Sequence, residues 1–448
     1  MLDRPASPHP LNTSLKRRFF LTRLTAIAGA ATLGACGGSG AESLEETGPI
    51  GKTPLGPTPT PSPAPAPTPA PTPAPAPVPP PPPAPPPPEP GSAVLPTAAP
   101  LAQPAWRRTM TPFQWVELPS ADILAVGPNF RPGGGASGRE ARIEAWNGIT
   151  GMGGVIYMAG VGGHADWGGN EGYRCDLTVA SPVWEMLGAP TPDQFITVDT
   201  AYYLDGRPTA SHTYYALHAD ARRQKVFRMG IGSAWGSGNF QRPNVDAFDL
   251  ATRDWDAAST WPSVPENPGI GKSQAQDLET GDAYVVGSNR LWRFKMETGQ
   301  WTGLASVPSQ GYAAYTRASA VDTRRKRFVV FGNGYRLPVG IMVYDIAANT
   351  WTTPELTGPA AARAAVQGGH SAFYSARLDR FILKTNSAGE LIEIHPETFA
   401  TRFLTSINAA AVPNAVNGVF GKFFYLQALG GFAYQPTGRD KLWFLSDS

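Results

Sequence analysis

The sequence predicts an all-β protein whose folded part is a six-bladed β-propeller, with seven blades as the alternative count. Three observations carry that expectation. A phrase recurs down the chain: a short apolar strand, a glycine, a second strand, then a tryptophan. It runs from Val155-Ile-Tyr-Met-Ala-Gly160 through Asp176-Leu177 to Trp184, and from Lys225-Val-Phe-Arg-Met-Gly230 through Asp249-Leu250 to Trp255. Further copies run from Ala283-Tyr-Val-Val-Gly287 to Trp301 and from Phe328-Val-Val-Phe-Gly332 through Asp345-Ile346 to Trp351. The tryptophans are spaced by 71, 46 and 50 residues (255−184, 301−255, 351−301), a period that belongs to propeller blades. Finally, the last copy stops at Ser448 after its third strand, and a matching fourth strand, Phe113-Gln-Trp115-Val-Glu-Leu-Pro119, stands at the other end of the repeats. A ring has no open edge only if its first and last blades share strands, so Trp115 is expected to close the circle.

The elements divide into residues 1–36, 37–100 and 101–448. Within the first, Lys16-Arg17-Arg18-Phe19-Phe20-Leu21 supplies a charged head, and Leu24 to Ala31 an apolar stretch too short to span a bilayer. The arginine pair resembles the twin-arginine pattern of bacterial export signals. Leu33-Gly34-Ala35-Cys36 resembles a lipobox, which implies lipidation of Cys36 and anchoring in the cell envelope. Gly37 and Gly38 follow that cysteine, without the aspartate that resembles an inner-membrane retention signal, so the outer membrane is the expected address. Pro54 to Pro90 is almost entirely Pro, Ala and Thr. Alternating prolines fix φ and remove backbone donors, so this stretch is an extended spacer reaching roughly 115 Å if fully stiff.

Charge and cysteine content narrow the function. Residues 1–36 carry a net +4 and 37–90 a net −3, which leaves +1 of the formal +2 for the head. A near-neutral head lacks the basic footprint of a nucleic-acid binder. With Cys36 lipidated only Cys175 remains, so no disulfide is possible within one chain and stability must come from core burial. A monomer is expected.

From Phe113 onward, 336 residues divide into six units of 56. Two weaker copies complete the count: Phe381-Ile-Leu-Lys384 with Leu391–Ile394, and Phe423-Phe-Tyr-Leu426, aligned as a second strand, with Gly430-Gly431 and Leu442–Leu445. Polar turns beginning at Asp220, Asp277 and Asp322 are expected to join first and second strands. Asp-Leu segments before the tryptophans are expected to join third and fourth strands. Residues 189–207 read as a long loop.

Propeller topology sorts the chemistry onto one face around the central channel. First-strand starts bring His212, Arg317 and His370; loops between second and third strands bring His164, Asp166, Trp167, Asn170, Trp235 and Arg336. Aromatic faces stack on pyranose rings, while Asn, Arg and His meet hydroxyls, so these nine residues form the candidate ligand site. His164, Asp166, His212 and His370 also have the composition of a metal set. However, His212 precedes Val226 by 14 residues and His370 precedes Phe381 by 11, an opposite parity that turns the two apart. No metal or other cofactor is therefore expected. His218 and His395 read as structural.

The repeats resemble the kelch family over residues 105–448. Gly162-Gly163 and Gly430-Gly431 match the family's diglycine, and Asn170-Glu171-Gly172-Tyr173 with Trp184 matches its Tyr…Trp spacing. That family includes binding scaffolds, oxidases and sugar isomerases. The oxidases imply a copper site built from tyrosines, histidines and a cysteine bonded to a tyrosine. Cys175, in a third strand beside Tyr173, does not fit, and it reads as a small buried apolar residue. An exported six-bladed kelch isomerase of sialic acid implies an arginine for the carboxylate, here Arg317 or Arg336, and acid/base groups among His164, Asp166, Glu171 and His370. The leading reading is a binding head for a glycan or an envelope or extracellular protein. The alternative is a carbohydrate-active enzyme, an isomerase, mutarotase or polysaccharide lyase, on the same face; a purely structural propeller is the third.

Overall fold

The computed structural model describes residues 101–134, 137–308, 316–332 and 340–448. The signal and spacer segments, with Cys36, and the candidate Arg336 lie outside the described residues. The chain forms six four-stranded antiparallel sheets. An isolated strand, β1 (Trp115–Leu118), comes first. Blade 1 follows as β2 (Thr150–Met152), β3 (Val155–Ala159), β4 (Gly172–Asp176) and β5 (Trp184–Gly188). Blade 2 is β6 (Leu217–Asp220), β7 (Lys225–Gly232), β8 (Gln241–Asp249) and β9 (Asp254–Trp255). Blade 3 is β10 (Gln274–Gln276), β11 (Ala283–Val286), β12 (Arg290–Lys295) and β13 (Gln300–Ser306); blade 4 is β14 (Ser319–Asp322), β15 (Arg327–Phe331), β16 (Ile341–Asp345) and β17 (Thr350–Thr352). Blade 5 is β18 (Ser371–Ser375), β19 (Arg380–Lys384), β20 (Leu391–Ile394) and β21 (Thr401–Leu404). Blade 6 takes β22 (Phe423–Leu426), β23 (Gly431–Tyr434) and β24 (Leu442–Ser446) from the end of the chain.

Its fourth strand is β1. The register runs antiparallel from Trp115↔Leu445 to Leu118↔Leu442, so the start and end of the propeller lie in one sheet, as expected. Trp115 is fully buried against Phe423 and Tyr434, and its indole N–H donates to Ser406 Oγ at 3.1 Å.

The recurring phrase has a packing cause. Second strands such as β15 and β19 sit between neighbouring sheets and are buried on both faces from their second residue onward, so they read as continuous apolar runs. Outer strands such as β13 and β17 alternate between half-buried and exposed positions. Cys175 is buried in the blade 1 core, and burial pushes its thiol well up, so the thiolate is disfavoured as the sequence reading anticipated.

Two details differ from the expected alignment. Phe423–Leu426 is a first strand, not a second, so Gly430 ends the turn between β22 and β23 and Gly431 begins β23, rather than the pair ending a second strand. Likewise Gly230 does not end its strand: β7 continues to Gly232, and Gly230, at φ +94°, forms a bulge between Met229 and Ile231. Residues 189–216 contain no strand and only one short helical turn (Asp193–Phe195). Asn170 ties that loop down: its amide N–H donates to Pro208 O and Thr191 Oγ1, and its carbonyl oxygen accepts from Thr191 N.

Candidate functional site

The segments leading into the first strands meet on one face and close the channel there. Tyr215, ahead of β6, donates its hydroxyl to His370 O at 2.7 Å and lies 3.2 Å from Thr316 O, reaching blades 5 and 4 from blade 2. Phe420, ahead of β22, packs edge-on against Tyr214 at 5.0 Å and Tyr215 at 5.5 Å. Below this aromatic plug, first-strand residues of blades 2 to 6, with Ile149 just ahead of β2, line a channel that reaches Glu279, Thr323 and Ala376 in the turns at the opposite end. His218 forms part of that wall, with Nε2 3.1 Å from Gln274 Oε1, and burial lowers its pKa to about 4.

Eight of the nine sequence-predicted residues are described, and they do not share one site. Arg317 is fully buried, with a guanidinium N–H 3.4 Å from Phe331 O, and burial lowers its pKa to about 10. His370 is also buried, chiefly burial and then the nearby Lys384 lower its pKa to about 4, and its Nδ1 has no partner among the described residues. Trp167 lies in the core with its indole N–H donating to Glu171 Oε1 at 2.8 Å, beneath the Arg142 guanidinium. Asn170 is the loop latch described above. None of these four presents a polar group to solvent on this face.

His164, Asp166, His212 and Trp235 do come together, in a cleft between blades 1 and 2. A short loop closed by Gly163 N donating to Trp167 O carries both His164 and Asp166. His164 holds a left-handed backbone (φ +48°), unusual for a residue with a side chain. Two bonds to the blade 2 loop impose it: His164 N donates to Ala234 O at 2.9 Å, and Gly236 N donates to His164 O at 2.8 Å. Gly238 leaves the imidazole its space, since a Cβ there would stand 2.8 Å from the ring.

His212 Nε2 lies 3.0 Å from Asp166 Oδ2, and Ser137 Oγ donates to Asp166 Oδ1 at 3.3 Å. Burial favours a neutral His212 despite the pull of Asp166. Burial alone would raise the Asp166 carboxyl, but His212, His164 and Ser137 outweigh it and hold it below its ordinary range. A neutral imidazole oriented by a carboxylate is therefore the state at neutral pH. The His212 ring packs against a tilted Trp146 at 4.9 Å and edge-to-face with Tyr214 at 5.9 Å, while Asp166 keeps 28% of its side chain exposed.

Arg131 completes the cleft, and sequence reasoning missed it. Its guanidinium lies 5.0 Å from the Trp235 ring, and Asp166 is its charge neighbour. All three of its nitrogens are shielded, yet none has a hydrogen-bond partner among the described residues. Buried donors without acceptors are rare in native folds and call for an explanation. Arg131 sits in a Pro-Gly stretch ahead of the first blade, so blade counting carries no signal for it. Trp146, by contrast, was detectable: it precedes β2 as His212 precedes β6. No protein-family model matches the chain, and no curated protein matches it.

Proposed function

We propose that the chain is an exported lipoprotein, anchored through Cys36 and raised on its proline-rich spacer, whose propeller is a binding head for an acidic carbohydrate. The cleft between blades 1 and 2 is the binding site. The observation that carries this reading is Arg131: a shielded guanidinium whose donors meet no acceptor among the described residues, on an aromatic ring and beside a His–Asp–His cluster, matches a ligand carboxylate in fork geometry. His164 and Asp166 offer hydrogen bonds to hydroxyls, and the half-buried Trp146 offers an apolar face. The twin-arginine and lipobox resemblances support the envelope address, with the outer membrane favoured by Gly37-Gly38.

A glycan array probed with the full-length chain tests this. Uronate- or sialate-bearing glycans are expected to bind, and their carboxyl-reduced analogues are not. Arg131→Ala should weaken binding by roughly 30-fold or more, the loss of about 2 kcal/mol typical of a central anchor. Equal binding of acidic and reduced glycans, or an unaffected Arg131→Ala variant, would refute the site. For the anchor, Cys36→Ser is expected to abolish labelled palmitate incorporation in cells; label retained in the variant would exclude lipidation there.

The second reading is catalytic, and His212···Asp166 is the observation that favours it. A carboxylate-oriented neutral imidazole beside a second histidine is suited to moving a proton at a sugar carbon or oxygen, as a lyase or isomerase requires. Turnover of a bound glycan, lost in Asp166→Asn, would establish the enzyme over the binder.

A further inference from the structure

We propose that His164, Asp166 and His212 bind one divalent transition-metal ion. One ligand atom from each side chain can be chosen so that all three lie within 4.8 Å of one another. Ligand atoms about 2.1 Å from an ion in tetrahedral geometry stand about 3.4 Å apart. His212 Nε2 and Asp166 Oδ2 already stand 3.0 Å apart, and small rotations of the half-buried His164 and Asp166 side chains close the rest.

The surroundings resemble a prepared site more than a chance surface cluster. His212 is locked by its aromatic neighbours. His164 is fixed in a left-handed conformation by two main-chain bonds to the neighbouring blade, so its ring is presented from a set position. Ser137 donates to the Asp166 oxygen that His212 does not use, the outer contact that orients a ligating carboxylate.

Two imidazoles and one carboxylate with open positions suit zinc or iron better than the oxygen-seeking calcium and magnesium. Arg131 is a charge neighbour of the same carboxylate. The ion, one carboxylate and one guanidinium then sum to a net +2, so the open positions would take an anionic oxygen. The site goes beyond the carbohydrate reading and stands without it.

The test uses the full-length chain, without an added histidine tag, stripped with a chelator and titrated with Zn²⁺ and Co²⁺. One equivalent is expected, with cobalt giving the visible absorption of a nitrogen–oxygen ligand set. Changing an outer contact of a metal site costs roughly 10- to 100-fold, so losing a direct ligand in His164→Ala or Asp166→Ala should weaken binding by about 100-fold or more. Both side chains are partly exposed, so these variants should fold; an unchanged circular dichroism spectrum and melting curve checks it. His395→Ala, in a surface turn of blade 5, should bind like the wild type. A folded wild type with no stoichiometric site tighter than about 10 μM overturns the proposal, as does binding that survives in both variants. Neither outcome depends on any glycan.

Discussion

Trp115→Ala is expected to cost about 3–5 kcal/mol of stability, the range for emptying a fully buried tryptophan site. Its ring fills the core of blade 6 between Phe423 and Tyr434, and its main-chain N–H donates to Ile407 O, beyond the outer strand of blade 5. The loss should exceed that of a typical core residue in its consequences, because β1 is all that covers the outer edge of β24. Val116, in the same strand but only half-buried, is the internal comparison: Val116→Ala should cost about 1 kcal/mol or less. Removing residues 101–118 altogether leaves β24, a wholly buried apolar strand, as an open edge, and self-association is then expected. Denaturant midpoints and sedimentation read both effects. A Trp115→Ala variant within about 1 kcal/mol of wild type would mean that closure does not depend on this side chain.

The closure was legible because it is a statement about count: five complete units, one unit lacking a strand, and one strand left over. The blades were legible because second strands packed on both sides must be apolar throughout, a local signal that survives without an alignment. The cleft was legible in part. Topology brought His164, Asp166, His212 and Trp235 to one face, but assigned Trp167 and Asn170, from the same loop, to that face as well. A strand would have alternated them predictably; a loop with a left-handed residue at His164 follows no parity, and both turn inward. The plug was not legible at all. Tyr215 meets main-chain oxygens 101 and 155 residues away, and those contacts exist only once the ring has closed. That plug is also why Arg317 and His370, correctly assigned to first-strand starts, do not share a pocket with the others.

The second large effect lies at the junction of the same two blades. Arg228, in β7, and Asp246, in β8, form an ion pair at 2.8 Å with side chains 0% and 3% exposed. The guanidinium also donates to Thr209 O at 2.5 Å and Ser211 Oγ at 3.2 Å, and lies 5.6 Å from the Trp255 ring. It therefore fastens the long 189–216 loop, which carries His212, to β7 and β8 of blade 2. Burial pushes the Asp246 carboxyl up, and Arg228 opposes that shift. Removing only the carboxylate strands a buried cation, so Asp246→Ala is expected to cost about 3–5 kcal/mol. The price is that of the orphaned charge and not of the pair itself, and this separates two explanations. If the pair is present for stability, the double variant Arg228→Met/Asp246→Leu should lose as much as the single one. If burial of the charges nearly cancels their attraction, the double variant should recover to within about 1 kcal/mol of wild type or better. The second outcome is expected for stability, and binding at the cleft decides what the pair is for. Its guanidinium bonds the loop through Thr209 and Ser211, directly ahead of His212, so a double variant that is stable yet binds poorly would identify the pair as the device that sets the position of His212. A double variant that is both stable and fully active in binding would show that the loop holds its place without the pair, through its other bonds such as Asn170 to Thr191 and Ser211 N to Gly160 O.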